Sequence, residues 1–267
     1  MSENQYSHMT EFLMFGYFGC TSEQINSMCP CSKIRMCAER AYLDWNRTIE
    51  YEKKVSEKDK ESFINNGCTI LIRGISGILE HKELYDVWSE TNQTVFNTLH
   101  SGICEEIENF AKDQKTKSDP NTYLLKQKGE KRFYYGQAQK WLNMTLKYMD
   151  LLDLNNVRRI RKLLHVPIDR YILRAAASPK GSRYHQENTS LNIKYAQKNC
   201  TCNESIVKLG YYSEGTSQAW SRFDKNDYTQ LQIAIRKAIQ EKSWTDIKCP
   251  LDWEAKAWIE QAQLERK

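Results

Sequence analysis

An apolar stripe at helical spacing runs through residues 91–112. Apolar side chains recur there every three or four positions, at Val95, Phe96, Leu99, Ile103, Ile107 and Phe110. This period places the six side chains on one face of an α-helix, which must then be buried. The chain also has only 11 glycines and 5 prolines among 267 residues, which is few for a turn-rich β-sandwich. Together these observations predict a mostly α-helical protein.

Helical patterns recur in the rest of the chain, apart from an irregular start over residues 1–30. Residues 68–72 are β-branched and fit either a short strand or the start of a buried helix. Asp169 follows Pro167 and is placed to cap a helix, and Pro250 suits the first position of another. Residues 178–222 form a long polar loop. The predicted helices are 32–55, 58–65, 91–112, 138–152, 157–164, 170–177, 227–242 and one that begins at residue 250.

Positive charge is concentrated in one part of the chain. The formal net charge is +5, yet eleven basic and four acidic residues lie between Lys126 and Arg170. A basic patch of this kind is typical of proteins that bind a polyanion, although a solvated helix face has the same composition. Four of the basic residues form a short cluster that we take as a candidate nucleic-acid contact: Arg158, Arg159, Arg161 and Lys162.

Neither membrane insertion nor a disulfide framework is expected. The longest early apolar run, residues 12–18, is short and has no basic residues before it, which does not fit a signal peptide or an anchor. The expected compartment is therefore the cytoplasm, with no membrane partner. Nine cysteines are an odd number and suit reduced thiols.

Four cysteines lie close together near the start of the chain. Cys20, Cys29, Cys31 and Cys37 are weak candidates for a metal site, and Cys29 and Cys31 could instead join the later Cys200–Cys202 pair. The spacing fits structural zinc badly, because zinc sites usually use cysteine pairs separated by two to four residues. The simpler expectation is small buried thiols with no metal.

Two segments 29 residues apart carry the chemistry. Lys140 follows Gly136 by four residues near the predicted start of a helix, and Asp169 stands at the start of a later helix. Positive potential at a helix start, together with burial, favours the neutral amine of a lysine, which can attack a sugar carbon and form an imine. An ionised aspartate at a helix start could stabilise the positive charge that develops on the sugar.

These segments resemble the helix–hairpin–helix DNA glycosylase superfamily, in particular endonuclease III and the 8-oxoguanine DNA glycosylases. In members with lyase activity the hairpin reads Gly-x-Gly-x-Lys, and Gly136, Lys140 and Asn143 match the first glycine, the lysine and a following asparagine. Pro167-Ile168-Asp169 matches the Pro-Val-Asp element of the family. The chain departs from the pattern at Ala138, which replaces the second glycine, and in its longer gap between lysine and aspartate.

The resemblance implies a DNA glycosylase, with or without lyase activity, that excises a damaged or modified base. Lys140 would be the Schiff-base nucleophile and Asp169 the catalytic carboxylate. The hairpin residues Gly136, Gln137, Ala138 and Gln139 would grip a phosphate of double-stranded DNA, with a monovalent cation at the hairpin and no other cofactor. The base pocket would include Trp141, His165 and Tyr171.

The expected architecture is two helical subdomains with a helix–hairpin–helix motif and a cleft between them, in a monomer. Residues 1–115, joined by 223–267, would form one subdomain, and residues 116–222 the catalytic one. Two other readings stay open at this point. The chain fits a non-catalytic helical nucleic-acid-binding protein, and it fits a helical interaction protein without nucleic acid. The target base, and a role in repair or in defence, are not specified by these patterns.

Overall fold

Helices make up the regular structure of the described chain. The computed structural model describes residues 3–178, 180–193, 219–242 and 244–266. Short 3-10 turns occur at Asn46–Thr48, Lys82–Leu84, Val157–Ile160 and Trp220–Arg222. Within the described ranges the α-helices are α1 (Glu3–Phe18), α2 (Ser22–Ser27), α3 (Pro30–Trp45), α4 (Glu57–Glu80), α5 (Glu90–Lys112), α6 (Tyr135–Leu151), α7 (Arg170–Ala177), α8 (Lys225–Lys242) and α9 (Pro250–Leu264). The prediction of a mostly helical protein is confirmed.

Side-chain caps fix where several helices begin. The Ser56 hydroxyl accepts a hydrogen bond from the Asp59 amide at the start of α4, and the Ser89 hydroxyl does the same for Asn92 at the start of α5. Asp169 caps α7, and Pro250 is the first residue of α9, as the sequence predicted. Each cap pairs an amide that the helix itself leaves without a partner, which typically stabilises a protein by about 1 kcal/mol.

Helices α3, α4, α5 and α6 form a four-helix arrangement in which each helix packs against two of the others. On another side of α6 lie α8 and the 3-10 turn at Trp220, while α9 packs against α7 and α8. Helix α6 therefore lies between the four-helix arrangement and the C-terminal helices. The division into two subdomains and the cleft between them stay predictions.

Trp141 on α6 anchors the four-helix arrangement. Its indole is fully buried, donates to the carbonyl of Ala38, and lies 5.4 Å between ring centroids from both Tyr42 and Trp45. Gly67 on α4 makes room for it, because a Cβ there would lie 2.1 Å from the Trp141 ring. Trp141 is thus a core residue, and its burial gives no support to its predicted place in a base pocket.

Several predicted elements differ from the structure. Residues 1–30 are not irregular but contain α1 and α2, and residues 68–72 lie inside α4, which settles the choice between strand and helix. The predicted helix 157–164 is only a 3-10 turn, and α6 begins three residues earlier than expected. In the predicted long loop, residues 191 and 193 hydrogen-bond to the end of α7, and residues 194–218 lie outside the described part of the chain.

No helix in the described part of the chain combines the length and the apolar character that a bilayer crossing requires.

Candidate active site

Lys140 and Asp169 meet in the structure. The Lys140 Nζ lies 3.0 Å from the Asp169 Oδ2, and the two residues are only 6% and 9% exposed. The same Nζ lies 3.4 Å from the carbonyl oxygen of Pro167. The sequence pattern paired an amine with a carboxylate 29 residues later in the chain. In the structure these two groups are in direct contact.

The neighbouring Gln139 holds the two segments in register. Its side-chain amide donates to the carbonyl of Gly136 at 2.8 Å and to that of Ile168 at 3.4 Å, while its Oε1 lies 3.5 Å from the Ile168 amide. Gln139 is 1% exposed, so these hydrogen bonds form away from solvent. One buried side chain therefore links α6 to the strand-like segment just before Asp169 and fixes the distance between Lys140 and Asp169.

The Asp169 carboxylate is held by four donors. Its Oδ1 accepts the amides of Tyr171 and Ile172, both at 3.0 Å, and its Oδ2 accepts the Lys140 amine and the Trp258 indole, the latter at 3.2 Å. Burial by itself raises the pKa of the Asp169 carboxyl, but the charge of Lys140 and the Ile172 amide outweigh that effect. The pKa of Asp169 is thus lowered, and the group is ionised at neutral pH.

Three aromatic side chains surround the pair and reach towards solvent. The Trp258 side chain is 39% exposed although its indole N–H contacts Asp169. The Tyr171 ring lies 5.2 Å from the Trp258 ring in an edge-on arrangement, and the Trp220 ring centroid lies 6.0 Å from the Lys140 Nζ. Of the predicted pocket residues, Tyr171 is the one that the structure places beside the pair.

A second, partly buried ion pair lies close by. Lys147, two turns after Lys140 on α6, contacts Glu254 on α9 at 2.5 Å, and the Glu254 side chain is 1% exposed. The charge of Lys147 also contributes to the lowered pKa of Asp169. Glu254 lies one turn before Trp258, so α9 supplies both a carboxylate and an indole to this region.

The predicted phosphate grip does not match the structure. Gly136 lies inside α6, and its amide donates to the carbonyl of Phe223 at 2.9 Å, while the amides of Gln137 and Ala138 point to the carbonyl of Tyr134. Gly136, Gln137, Ala138 and Gln139 are all buried. Residues 113–134, rather than a short hairpin, connect α5 to α6. The amides of Gly136, Gln137 and Ala138 are therefore already paired and are not free to bind a phosphate.

Gly136 lacks a side chain at a point where another segment of the chain packs closely against α6. A Cβ at this position would lie 2.1 Å from the carbonyl oxygen of Trp220 and 3.1 Å from the amide nitrogen of Phe223. The absent side chain lets residues 220–223 cross directly over the start of α6. This close approach is what brings the Trp220 indole near Lys140.

The basic cluster at residues 158–162 is largely paired with acidic side chains. Arg158 contacts Asp153 at 3.3 Å, and Arg159 donates two hydrogen bonds to Asp86. Arg161 bridges two more carboxylates, those of Asp150 and Asp252. Lys162 is exposed. The arginines thus carry less net positive potential than the sequence suggested, and their contact with nucleic acid stays a prediction.

His165 belongs to a buried polar network rather than to a pocket. Its Nδ1 lies 2.8 Å from the hydroxyl of Tyr228 and its Nε2 lies 2.8 Å from the Oδ1 of Asn97. Asn143 joins the same network through hydrogen bonds with Tyr228 and with His100. Burial lowers the pKa of His165 well below its usual value and that of His100 to about 4, so both rings are neutral at pH 7. The structure therefore gives no support to the predicted pocket role of His165.

The cysteines of the described residues are free thiols. They include Cys20, Cys29, Cys31 and Cys37, of which Cys29 and Cys31 are exposed and Cys37 is buried. Within the described ranges, no three histidine, cysteine or acidic side chains are grouped closely enough to hold a metal ion. The alternative site with Cys200 and Cys202 lies outside the described residues.

Three features of the site were not found from the sequence. Trp220 and Trp258 lie 80 and more residues from Lys140, and no local pattern marks either as a site residue. Gln139 was assigned to a hairpin, and its role as a link between segments depends on tertiary packing.

Comparison of the chain with protein-family models, with curated proteins and with solved structures gave no match.

Proposed function

We propose that the protein is a DNA glycosylase with lyase activity, in which Lys140 forms a Schiff base with the sugar of a damaged or modified nucleotide. The observation that supports this most directly is the 3.0 Å contact between the Lys140 amine and the Asp169 carboxylate. The chemistry needs an amine that can reach the sugar and an ionised group that stabilises the positive charge developing at C1′. An amine and an ionised carboxylate are both present, at positions that the resemblance assigns to catalysis.

The reaction begins with departure of the base. The bond between the base and C1′ breaks while a proton passes from the Lys140 ammonium to the leaving nitrogen of the base. The resulting neutral amine bonds to C1′, the ring oxygen leaves C1′ with one proton from the bonded nitrogen, and a protonated imine remains on the lysine. A proton then passes from C2′ to water, the 3′ phosphate leaves with the electrons of the C3′–O bond, and water hydrolyses the unsaturated imine to an unsaturated aldehyde and the free Lys140 amine.

Asp169 stabilises the positive charge that develops at C1′ during this reaction. Its lowered pKa keeps it ionised through the neutral pH range, which is what a charge-stabilising group requires. Since its Oδ1 is occupied by two backbone amides, the Oδ2 is the oxygen that can turn towards a sugar cation. That oxygen loses one of its two donors when Lys140 moves to C1′ and keeps the Trp258 indole.

A nucleotide has to leave the helical stack to reach Lys140. The partly exposed indoles of Trp220 and Trp258 provide aromatic surfaces on which an extruded base can stack, a contact worth about 1–3 kcal/mol for each base. Lys140 itself is 6% exposed, so entry requires these side chains to move apart. The partner we expect is double-stranded DNA, with no cofactor required for bond breakage.

Borohydride trapping tests the proposal. The purified protein is mixed with duplexes that contain an abasic site, uracil, 8-oxoguanine or a hypermodified pyrimidine, and the imine is reduced. We expect a covalent adduct with at least one substrate, and no adduct with Lys140→Gln. Lys131→Gln is the matched control, because Lys131 is an exposed lysine paired with Glu108 and should not affect trapping.

The remaining outcomes identify the alternatives. Salt-sensitive DNA binding without an adduct would identify a non-catalytic nucleic-acid-binding protein, in which Lys140 and Asp169 form a structural ion pair. Their near-complete burial is the observation that favours this second reading. Absence of DNA binding at low salt would contradict both and leave an interaction protein.

A further inference from the structure

A cavity lies beside the candidate active site. It has a volume of about 370 Å³ and lies between α7, residues 183–184 and the end of α9. Arg170, Arg183, Tyr184, Leu264 and Glu265 line it. This volume is within the range of small-molecule sites, roughly 300–1,000 Å³.

The charges around the cavity are predominantly positive. Among the described residues that line it, Glu265 carries the carboxylate, which contacts Arg170 at 2.7 Å, Arg174 at 2.8 Å and the Tyr171 hydroxyl at 2.6 Å. Arg183 contacts no acidic side chain in the described residues; its guanidinium donates to the Tyr184 hydroxyl at 2.5 Å. Arg183 is therefore a cavity-lining guanidinium with no acidic partner among the described residues, and an anion would offset its charge.

The arginines are also held in place. Arg174 is fully buried, and its guanidinium lies 4.3 Å from the centroid of the Tyr184 ring. Arg183 lies 4.6 Å from the centroid of the same ring. Tyr184 is itself 5% exposed, so a fixed aromatic ring orients two guanidinium groups. Planar guanidinium groups with fixed directions are suited to binding phosphate oxygens through paired hydrogen bonds.

The cavity is one layer of side chains away from Asp169. Arg170 is the next residue in the chain, and Trp258, which donates to Asp169, packs edge-on against Tyr171. Tyr171 in turn donates to Glu265 in the cavity wall. A group bound in the cavity would therefore lie near any sugar that reaches Lys140.

We propose that this cavity binds a phosphate group, with Arg183 as its principal ligand and Arg170 as the second. If the protein has the proposed function, the phosphate belongs to the DNA backbone next to the reacting nucleotide. A free small phosphate compound has the same chemistry. The identification of DNA rests on the proposed function, whereas the phosphate site itself does not.

The first experiment uses inorganic phosphate at constant ionic strength, with chloride as the balancing anion. Binding is followed through the guanidinium Nε–H resonances of the arginines. We expect the Arg183 resonance to shift and Arg183→Gln to bind phosphate about tenfold more weakly, as for the loss of one exposed charge-assisted hydrogen bond. Arg35→Gln is the control, because Arg35 is a partly exposed arginine on α3 paired with Glu39. Absence of phosphate binding, or equal binding by both variants, would overturn the proposal.

The second experiment identifies the source of the phosphate. The affinity for a duplex with an abasic site is measured against salt concentration for both variants. If the ligand is DNA, Arg183→Gln lowers the affinity and reduces the salt slope by about one relative to Arg35→Gln. If phosphate binds at Arg183 but the two variants bind DNA alike, the ligand is a small phosphate compound. Failure of trapping at Lys140 with intact phosphate binding would refute the glycosylase proposal alone.

Discussion

Replacement of Gly136 by alanine distinguishes a packed glycine from a hairpin glycine by the sign of its effect on stability. In an open helical position, alanine is favoured over glycine by up to about 1 kcal/mol. At residue 136, however, the added Cβ would lie 2.1 Å from the Trp220 carbonyl oxygen, and roughly 1 Å of backbone movement would be needed to relieve the contact.

The cost of such overpacking is typically 1–3 kcal/mol, which exceeds the gain in helix propensity. We therefore expect Gly136→Ala to reduce the free energy of unfolding by about 1–2 kcal/mol. Movement of residues 220–223 should also expose Trp220 and weaken trapping at Lys140. Urea unfolding measures the loss of stability. Quenching of tryptophan fluorescence measures the exposure of Trp220, and borohydride reduction measures the yield of the adduct at Lys140.

Gly77 in α4 is the matched control, because a Cβ there would meet no atom within 4 Å. Gly77→Ala should raise the free energy of unfolding by about 0.5–1 kcal/mol. If Gly136→Ala is as stable as Gly77→Ala, residue 136 faces open space. Residues 220–223 would then not pack against the start of α6, and a hairpin that grips a phosphate would be the better description of the segment around Gly136.

Three further outcomes are expected. Trp258→Phe removes one donor from the Asp169 carboxylate, so the pKa of Asp169 should rise and stability should fall by about 1 kcal/mol; an unchanged carboxyl titration by NMR would show that the indole contact is absent. His100 and His165 are neutral when folded but can be protonated when unfolded, so stability should fall as the pH falls below about 6.5, and the contribution of His100 should continue to fall until its folded pKa of about 4. Flat urea midpoints across that range would contradict their burial. The exposed Cys29 thiol has a pKa lowered by hydrogen bonds from Ser32, so iodoacetamide should modify it before any buried cysteine, as mass spectrometry of early time points will report.

Local patterns predicted most of the helices, because their signals lie within a few residues. Apolar spacing identified α5 to within one residue of its start, and Asp169 and Pro250 were recognised from capping preferences. Helix α1 was missed because its apolar residues, such as Phe12 and Phe15, are exposed and give no clear amphipathic stripe.

The site was only partly predictable, for a physical reason. The sequence contained the lysine, the aspartate and the cap that orients the aspartate, all of which are local. It did not contain the contacts that decide what surrounds them. Gly136 looks the same whether it faces a phosphate or the Trp220 carbonyl, and the Asp169 contact with Trp258 spans 89 residues. Trp141 and His165 likewise turned out to be buried only because of helices packed from elsewhere in the chain.

The most direct test of the Lys140–Asp169 chemistry is mass mapping of the borohydride-reduced adduct. The trapped complex is digested with nuclease and protease, and the modified lysine is located by tandem mass spectrometry. We expect the remaining sugar fragment on Lys140, and a much smaller yield from Asp169→Asn, which keeps a capping side chain at α7 but removes the charge. An adduct on a different lysine, or none with any of the damaged duplexes, would contradict the role of Lys140 as the nucleophile.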